Sequence, residues 1–402
     1  MERKIKYLII TIIVALTLAK LLFLGELRIT EGHDIAQNIL ATNEFKYWIN
    51  NGFNFNYQFP IYPFLIAIFY YIKDAPEMAI LLNLLCSGVT AYFIAKISYV
   101  VLKKNNWLTI TATIGFIVHP IISYYQVGAI HPFALDLLFA TLLIYMGICW
   151  KDITLKRSII CGIIVGLAVL NRPTLVVFTV PIAYRLLTTS TLKPLFIKGS
   201  VIVLIGVIPV GLWMVRNHSI YEEWSLNSSY GQNLWIGIQE ETEGTAQKAN
   251  GQSYYNLMGD STIAAINKLN PIEESVYFSL KYQNELEEKP GLWTSMFLVK
   301  LKNFWWFRSN IGVDYGPGIS DLIIYYKIGY VFILIFGMIG FIVSDSHWRS
   351  VLLSILLLCL FQASFYVETR HRLMIEPFLI IGSVVAFQFF MFKLFKKHEN
   401  KV

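Results

Sequence analysis

Long, uninterrupted runs of apolar residues, separated by short polar segments, extend along most of the chain. The runs do not alternate between apolar and polar residues, as half-buried strands do, so they predict helices. In hydrocarbon the backbone of a helix satisfies its own polar groups, and about 20 apolar residues are enough to cross a bilayer. The predicted spans are residues 7–24, 78–102, 107–125, 132–150, 158–170, 174–187, 196–215, 322–343, 349–366 and 373–392. We therefore predict an all-α polytopic membrane protein with a bundle of about ten spans.

Clusters of Lys and Arg give this bundle an orientation. Basic residues precede the first span, follow the second and end the chain, and positive charge marks the cytoplasmic side of a membrane. Both termini are then cytoplasmic, and the opposite face carries the two longest polar intervals. The predicted regions are an N-terminal bundle (1–215) with a first outer loop (25–77), a long extracytoplasmic cap (216–321) and C-terminal helices (322–402). Within the first loop, residues 35–40 and 61–72 are too short to cross and predict juxtamembrane helices.

Composition supports a membrane protein and excludes several other classes. Of 402 residues 56% are hydrophobic and 15% charged, with a mean hydropathy of +0.55, which leaves too little polar surface for a soluble protein. The net charge of +7 comes from clusters between spans, so nucleic acid is not a predicted partner. The four cysteines lie inside apolar runs without metal-type spacing, which predicts neither a disulfide framework nor a zinc site.

The predicted topology places a set of ionisable residues on the extracytoplasmic face. Its members are Glu31, His33, Asp34, His131, Arg172, Arg216, Glu368, Arg370, His371 and Arg372. Arginine has a planar guanidinium suited to phosphate oxygens, and a nearby carboxylate can act as a general base. Taken singly, each residue also fits a simpler interpretation: a solvated loop acid, an arginine at a helix end that extends to the interface, or a surface ion pair. These residues alone indicate an outward-facing membrane protein with an anion site.

Several segments together resemble the GT-C superfamily of integral membrane glycosyltransferases, in particular the protein mannosyltransferase and aminoarabinose transferase families. The resemblance extends over nearly the whole chain. The segments are Ile35-Ala36-Gln37-Asn38-Ile39-Leu40, Phe59-Pro60-Ile61-Tyr62-Pro63, Leu170-Asn171-Arg172-Pro173-Thr174, residues 209–217, residues 227–237 and residues 368–379. Their order, with a long loop after Arg216 and a basic pair before the last span, carries the resemblance more than any single segment does.

The resemblance implies a GT-C-like bundle in the cytoplasmic (inner) membrane, with outer juxtamembrane helices and an extracytoplasmic active site. The implied reaction transfers a sugar with inversion from a polyprenyl phosphate to a lipid, polysaccharide or protein acceptor. Asp34 is the first choice for the base and Glu31 the second. Both remain candidates, because neither matches the family's usual offset. The donor phosphate is assigned to Arg370 and Arg372, supported by Arg172 and Arg216, and acceptor positioning to His33, His131 and Glu368.

No obligatory cofactor or metal is predicted, because the outer loops contain no Asp-x-Asp string and His131-Pro132 stands where many relatives have an acid before proline. Besides the donor and acceptor, the predicted partners are membrane lipids. An alternative function is a transporter or flippase for lipid-linked sugars. That function would require ionisable groups at mid-membrane, for which Lys20, Lys96 and Asp136 are the nearest residues.

Overall fold

The computed structural model describes residues 3–23, 26–49, 52–248, 252–253, 258–307 and 323–399. This part of the chain is built almost entirely of α-helices, which confirms the all-α fold class. The predicted boundaries at residues 24–25 and 321–322, and the C-terminal end at residue 402, lie outside the described residues.

The N-terminal region consists of helices joined by short connections. The helices are α1 (Arg3–Ala19), α2 (Glu31–Thr42), α3 (Ile61–Ile72), α4 (Glu77–Val101), α5 (Asn106–Ile117), α6 (Pro120–Val127), α7 (Phe133–Cys149), α8 (Leu155–Asn171), α9 (Val180–Thr189) and α10 (Leu192–Tyr221). Two 3-10 segments, Lys20–Phe23 and Pro173–Thr179, follow α1 and α8. Strands β1 (Tyr47–Ile49) and β2 (Gly52–Asn54) pair antiparallel between α2 and α3.

The rest of the chain forms the cap and the C-terminal helices. These helices are α11 (Tyr230–Ile236), α12 (Asp260–Ile266), α13 (Pro271–Glu288), α14 (Leu292–Trp305), α15 (Ile323–Val343), α16 (Ser346–Ser364) and α17 (Glu376–Glu399). Further 3-10 segments are Glu240–Thr242 and Thr369–Met374. The predicted boundary between residues 215 and 216 falls within α10, which continues to Tyr221.

The described chain is a multi-pass membrane protein, although not every predicted span forms one long helix. Six helices are long and apolar enough to cross a bilayer: Arg3–Leu22, Glu77–Val101, Leu192–Tyr221, Ile323–Val343, Ser346–Ser364 and Glu376–Leu394. They correspond to six of the predicted spans. The span predicted at 107–125 is instead the pair α5 and α6, bent by 55°, and counting the pair as one crossing gives seven. The other three predicted spans are shorter helices, so the number of about ten stays a prediction.

The bend between α5 and α6 has a local cause. Pro120 has no N–H to continue the hydrogen-bonding pattern of α5, and His119 caps α6 by accepting a hydrogen bond on Nδ1 from Ile122 N (3.2 Å). The bend changes the direction of α6 and of the loop after it, residues 128–132. That loop contributes to the site described below.

Glycines allow two helix pairs to approach closely. A Cβ atom on Gly166 of α8 would lie 2.6 Å from the carbonyl oxygen of Gly206 in α10, and a Cβ on Gly340 of α15 would lie 1.8 Å from that of Gly382 in α17. Side chains at these positions would push the helices apart, as at other small-residue contacts between membrane helices. The α8 and α10 contact fixes the end of α8 that carries Arg172.

The cap, residues 222–305, has its own hydrophobic cluster. Trp235, Phe278 and Met296 are buried together where α11, α13 and α14 meet. Lys300 of α14 joins the cap to the bundle, since its buried Nζ donates to the carbonyl oxygen of Phe365 (2.6 Å) and burial lowers its pKa to about 8. The cap is therefore fixed directly over the end of α16.

Candidate active site

A cavity of about 1050 Å³ lies between the cap and the end of the helical bundle. Its walls come from regions that are far apart in sequence. They include the first turn of α2, the segment before α3, the loop after α6, the end of α8, helices α11 and α13, the end of α16 and the 3-10 segment Thr369–Met374. The ionisable residues around it are Glu31, His131, Arg172, Glu223, Arg370 and His371.

A short backbone pairing positions Glu31 and His131 on neighbouring segments. Arg28 N donates to Gly128 O (2.9 Å), and Ile130 N donates to Arg28 O (3.0 Å), which forms an isolated parallel bridge. Thr30 adds a side-chain hydrogen bond to the carbonyl oxygen of Ile130. Because Glu31 follows one segment of this bridge and His131 follows the other, both residues reach the cavity from the same pair of hydrogen-bonded segments.

Glu31 supplies a carboxylate to the cavity wall directly after this bridge. It begins α2, and Gln58 Nε2 donates to its Oε2 (3.1 Å), which orients the carboxylate while leaving Oε1 available. A negative charge at a helix N-terminus is stabilised by the helix dipole. The next residue, Gly32, packs tightly on the Tyr62 ring, since a Cβ there would lie 3.3 Å from the ring. The structure thus holds the Glu31 carboxyl group in the cavity wall in a fixed orientation.

Arg172 lies at the end of α8, where Pro173 stops the helix. Its Nε donates to Asp136 Oδ2 (2.8 Å), and Asn171 donates to the other oxygen of the same carboxylate (2.7 Å). Among the described residues, its two Nη groups have no hydrogen-bond acceptor, and the side chain is 22% exposed. Asp136 therefore orients the guanidinium while its outer edge remains open to a ligand.

Arg370 and His371 come from the 3-10 segment before α17. His371 accepts a hydrogen bond on Nδ1 from Glu368 N (3.2 Å) and packs edge-on against the Tyr366 ring. His131 is held in the same way, since its Nδ1 accepts from Phe133 N (3.2 Å). Burial, together with the nearby charges of Arg172 and Arg370, holds the pKa of both imidazoles well below the ordinary value.

Five of the predicted site residues do not line the cavity. Asp34 is exposed on the first turn of α2, and His33 is hydrogen-bonded through Nδ1 to Tyr70 OH (2.7 Å), which fixes α2 on α3. Glu368 is buried and accepts from Ala246 N (3.2 Å), so it ties the cap to the 3-10 segment. Arg216 donates to the carbonyl oxygens of Phe45 (3.2 Å) and Phe55. These contacts connect elements of the fold and do not face the cavity.

Arg372 also takes a different position from the predicted one. Its side chain is 0% exposed and donates to Glu376 Oε1 (3.2 Å), the carbonyl oxygen of Trp306 (2.9 Å) and Tyr326 OH (3.1 Å). The Tyr330 ring lies 3.8 Å from its guanidinium carbon. Residues 370 and 372 project in different directions, because a 3-10 helix has three residues per turn and residues two apart lie on different sides of it. Arg372 faces the bundle, and Arg370 faces the cavity.

The cavity also contains groups that the sequence patterns did not single out. Gln58 orients Glu31, Asn171 shares Asp136 with Arg172, and His371 sits beside Arg370. His371 belonged to the predicted outer set, but nothing in its spacing distinguished it from its basic neighbours. Within the described residues, no group of three or more His, Cys, Asp or Glu side chains could hold a metal ion. The prediction of no obligatory metal stays a prediction.

Comparisons with known proteins identify the fold. The model of the dolichyl-phosphate-mannose-protein mannosyltransferase family matches residues 58–213, which include His131 and Arg172. A search of curated proteins gave no match. The archaeal oligosaccharyltransferase AglB from Archaeoglobus fulgidus, solved with an inhibitory peptide and a dolichol-phosphate, is similar over 100% of this chain and 52% of its own, with a TM-score of 0.52 and 10% identity.

ArnT from Cupriavidus metallidurans, solved with bound undecaprenyl phosphate, covers 94% of this chain with a TM-score of 0.42 and 12% identity. The present chain spans about half the length of AglB. The protein has the fold of the GT-C membrane glycosyltransferases, which confirms the predicted resemblance.

Proposed function

We propose that this protein is a membrane glycosyltransferase that moves a sugar from a polyprenyl phosphate to an acceptor outside the cytoplasmic membrane. The observation that carries the proposal is the convergence of Glu31, Arg172 and Arg370 on a single cavity, from distant parts of the sequence. Two cations and one oriented carboxylate are the groups that an attack on a phosphate-linked sugar requires.

In the proposed reaction, Arg172 and Arg370 bind the phosphate of the donor. An acceptor O–H or N–H lies against Glu31, and its heteroatom attacks C1 of the sugar as the bond between C1 and the phosphate oxygen breaks. The proton passes to the Glu31 carboxylate, and the electron pair leaves with the lipid phosphate. The configuration at C1 inverts because the attacking and leaving groups lie on opposite faces of the sugar. The guanidinium groups stabilise the negative charge that the phosphate gains.

The position of the cavity fits a lipid-linked donor. Its walls include apolar side chains at the end of α16 and on α13, among them Phe361 and Leu280, both of which are partly exposed. A prenyl chain is as apolar as these side chains and remains in the bilayer, while its phosphate reaches the arginines at the end of the bundle. The positive-inside distribution of Lys and Arg supports an extracytoplasmic location for this end.

The test uses cells with and without the gene. We expect mass analysis of surface glycans, lipids and proteins to show loss of one sugar in the deletion strain and its return with the wild-type gene, but not with Glu31→Gln. The purified protein should then release free polyprenyl phosphate from the matching donor. A flippase would move the donor between leaflets of a liposome and leave it intact, so movement without release of polyprenyl phosphate would overturn the proposal.

A further inference from the structure

His131 and His371 are held in the same tautomer by the same type of contact. Each Nδ1 accepts a hydrogen bond from a backbone N–H, of Phe133 and of Glu368 respectively, at 3.2 Å. A ring nitrogen that accepts carries no proton, so the neutral imidazole has its proton on Nε2. Both rings are therefore fixed as N–H donors, with the donating atom on the side opposite the backbone contact.

The donating atoms have no hydrogen-bond partner among the described residues. Neither Nε2 is one of the side-chain atoms that are sealed from solvent without a partner, and both residues line the cavity. His371 is only 3% exposed, so its Nε2 has little contact with anything but the contents of the cavity. Water or a ligand in the cavity must therefore accept the hydrogen bond of this donor.

The surroundings of the two rings specify the kind of acceptor. Arg172 and Arg370 are close enough to both imidazoles to act on them electrostatically, and the imidazoles act on each other. Two guanidinium groups and two imidazole N–H groups contribute hydrogen-bond donors to the same cavity wall. The complementary ligand is an anion with several oxygens, and a phosphate offers oxygens to all four groups.

We propose that His131 and His371 are a neutral pair of phosphate-binding residues, which donate from Nε2 to oxygens of the polyprenyl phosphate between the two arginines. This assignment rests on the proposed function and adds two residues to its donor site. Two neutral N–H donors stabilise the negative charge that develops on the leaving phosphate, and they do so without adding two further positive charges to the site. The product phosphate is then held less tightly and can leave after each transfer.

Two substitutions at each position separate binding of phosphate from a purely structural role. Asparagine places an acceptor near the position of Nδ1, so it keeps the backbone contact but removes the donor that reaches the cavity. Glutamine places an N–H near the position of Nε2 and loses the backbone contact. The matched control is His347→Asn, because His347 contacts Arg185 at the far end of α16, about 20 Å along the helix from Phe361.

The experiment measures binding of undecaprenyl phosphate to the full-length protein in nanodiscs, with inorganic phosphate as competitor. We expect the dissociation constant to rise about tenfold for His131→Asn and for His371→Asn and about a hundredfold for the double variant. The glutamine variants and His347→Asn should stay within about threefold of wild type. Displacement by inorganic phosphate would show that the headgroup alone is recognised. Its failure to displace would show that the lipid is also required.

Four outcomes would contradict the assignment. Tight binding by the asparagine variants, with losses in the glutamine variants, would show that the imidazoles only cap the backbone. Equal losses in both would show that the Nε2 donor has no role. Absence of undecaprenyl phosphate binding by the wild-type protein would refute the proposed function itself, whereas binding that does not depend on either histidine would refute this inference alone.

Discussion

Two clusters of charge share the 3-10 segment Thr369–Met374, and they differ in access. In the cavity, Arg172 and Arg370 line the same space as Glu31. In the bundle beneath it, Arg372 is paired with Glu376, and both side chains are 0% exposed. Arginine content alone does not distinguish the two clusters. What distinguishes a binding site from a structural ion pair is whether the charged groups line a cavity that a ligand can enter.

The buried cluster is nearly complete in its own hydrogen bonds. Glu376 binds Arg372 and Tyr326 through Oε1, and His119 Nε2 lies 2.6 Å from its other oxygen. Tyr326 OH also accepts from Arg372 (3.1 Å). Removal of one partner from such a cluster leaves a buried charge without compensation. The cluster therefore contributes to stability and to the position of the 3-10 segment, whereas the cavity contributes to binding.

The largest expected effect concerns the cavity carboxylate. Glu31→Gln keeps the size and the contact with Gln58 but removes the proton acceptor, so the transfer rate should fall by a factor of about 10² to 10⁴. The matched variant is Asp34→Asn, an acid of the same helix that is exposed and outside the cavity, and we expect it to transfer at close to the wild-type rate. Initial rates with purified proteins compare the two. Loss of activity in Asp34→Asn alone would return the role of base to Asp34.

The second prediction concerns the buried arginine. Arg372→Ala should lower the free energy of unfolding by about 3–5 kcal/mol, because it leaves Glu376 buried without the guanidinium that pairs with it. Thermal or denaturant unfolding in detergent measures this change. The double variant Arg372→Met with Glu376→Leu removes both charges and should regain much of the loss. A stable Arg372→Ala protein that has lost phosphate binding would show that the two clusters act as a single site.

The third prediction concerns the cavity arginine two residues earlier. Arg370→Gln should weaken binding of undecaprenyl phosphate about ten- to a hundredfold, the range for a lost hydrogen bond to a charged group. Its unfolding free energy should remain within about 0.5 kcal/mol of wild type, as for most partly exposed side chains. Reduced stability with unchanged phosphate binding would reverse the comparison between Arg370 and Arg372.

The sequence was sufficient for the fold class because membrane helices are specified by long apolar runs, whose backbone must be satisfied locally. It was less informative where helices bend or shorten. The run 107–125 contains Pro120, and the structure divides it into α5 and α6. The close contacts of Gly166 and Gly340 depend on the partner helix, which no local pattern reveals. The number and the tilt of the crossings therefore follow from packing.

The sequence patterns named candidate site residues but could not give the direction of their side chains. Topology placed Arg370 and Arg372 on one face, yet a 3-10 segment directs their side chains differently, and only three-dimensional contacts show that Arg372 is buried against Tyr326 while Arg370 lines the cavity. Similarly, Glu31 and Asp34 share a helix, and the bridge between Arg28 and Ala129 decides which one enters the cavity. Pairings between residues 100 apart are not encoded in any short motif.

The smallest expected effect is a dependence of stability on pH. The pKa of His131 and that of His371 are lowered by burial and by neighbouring arginines, whereas in the unfolded chain a histidine titrates at about 6.5. Below that pH the unfolded state takes up protons while the folded state stays neutral, so the free energy of unfolding should fall as pH decreases, until the lowered pKa is reached. The slope is at most about 1.4 kcal/mol per pH unit for each histidine.

Unfolding in detergent between pH 5 and 8 should be less pH-dependent in the double asparagine variant of His131 and His371 than in wild type, with a constant difference between them above about pH 7.5. Equal slopes would show that the two imidazoles titrate at the same pH in the folded and the unfolded protein, and a slope of the opposite sign would show that they are protonated in the cavity.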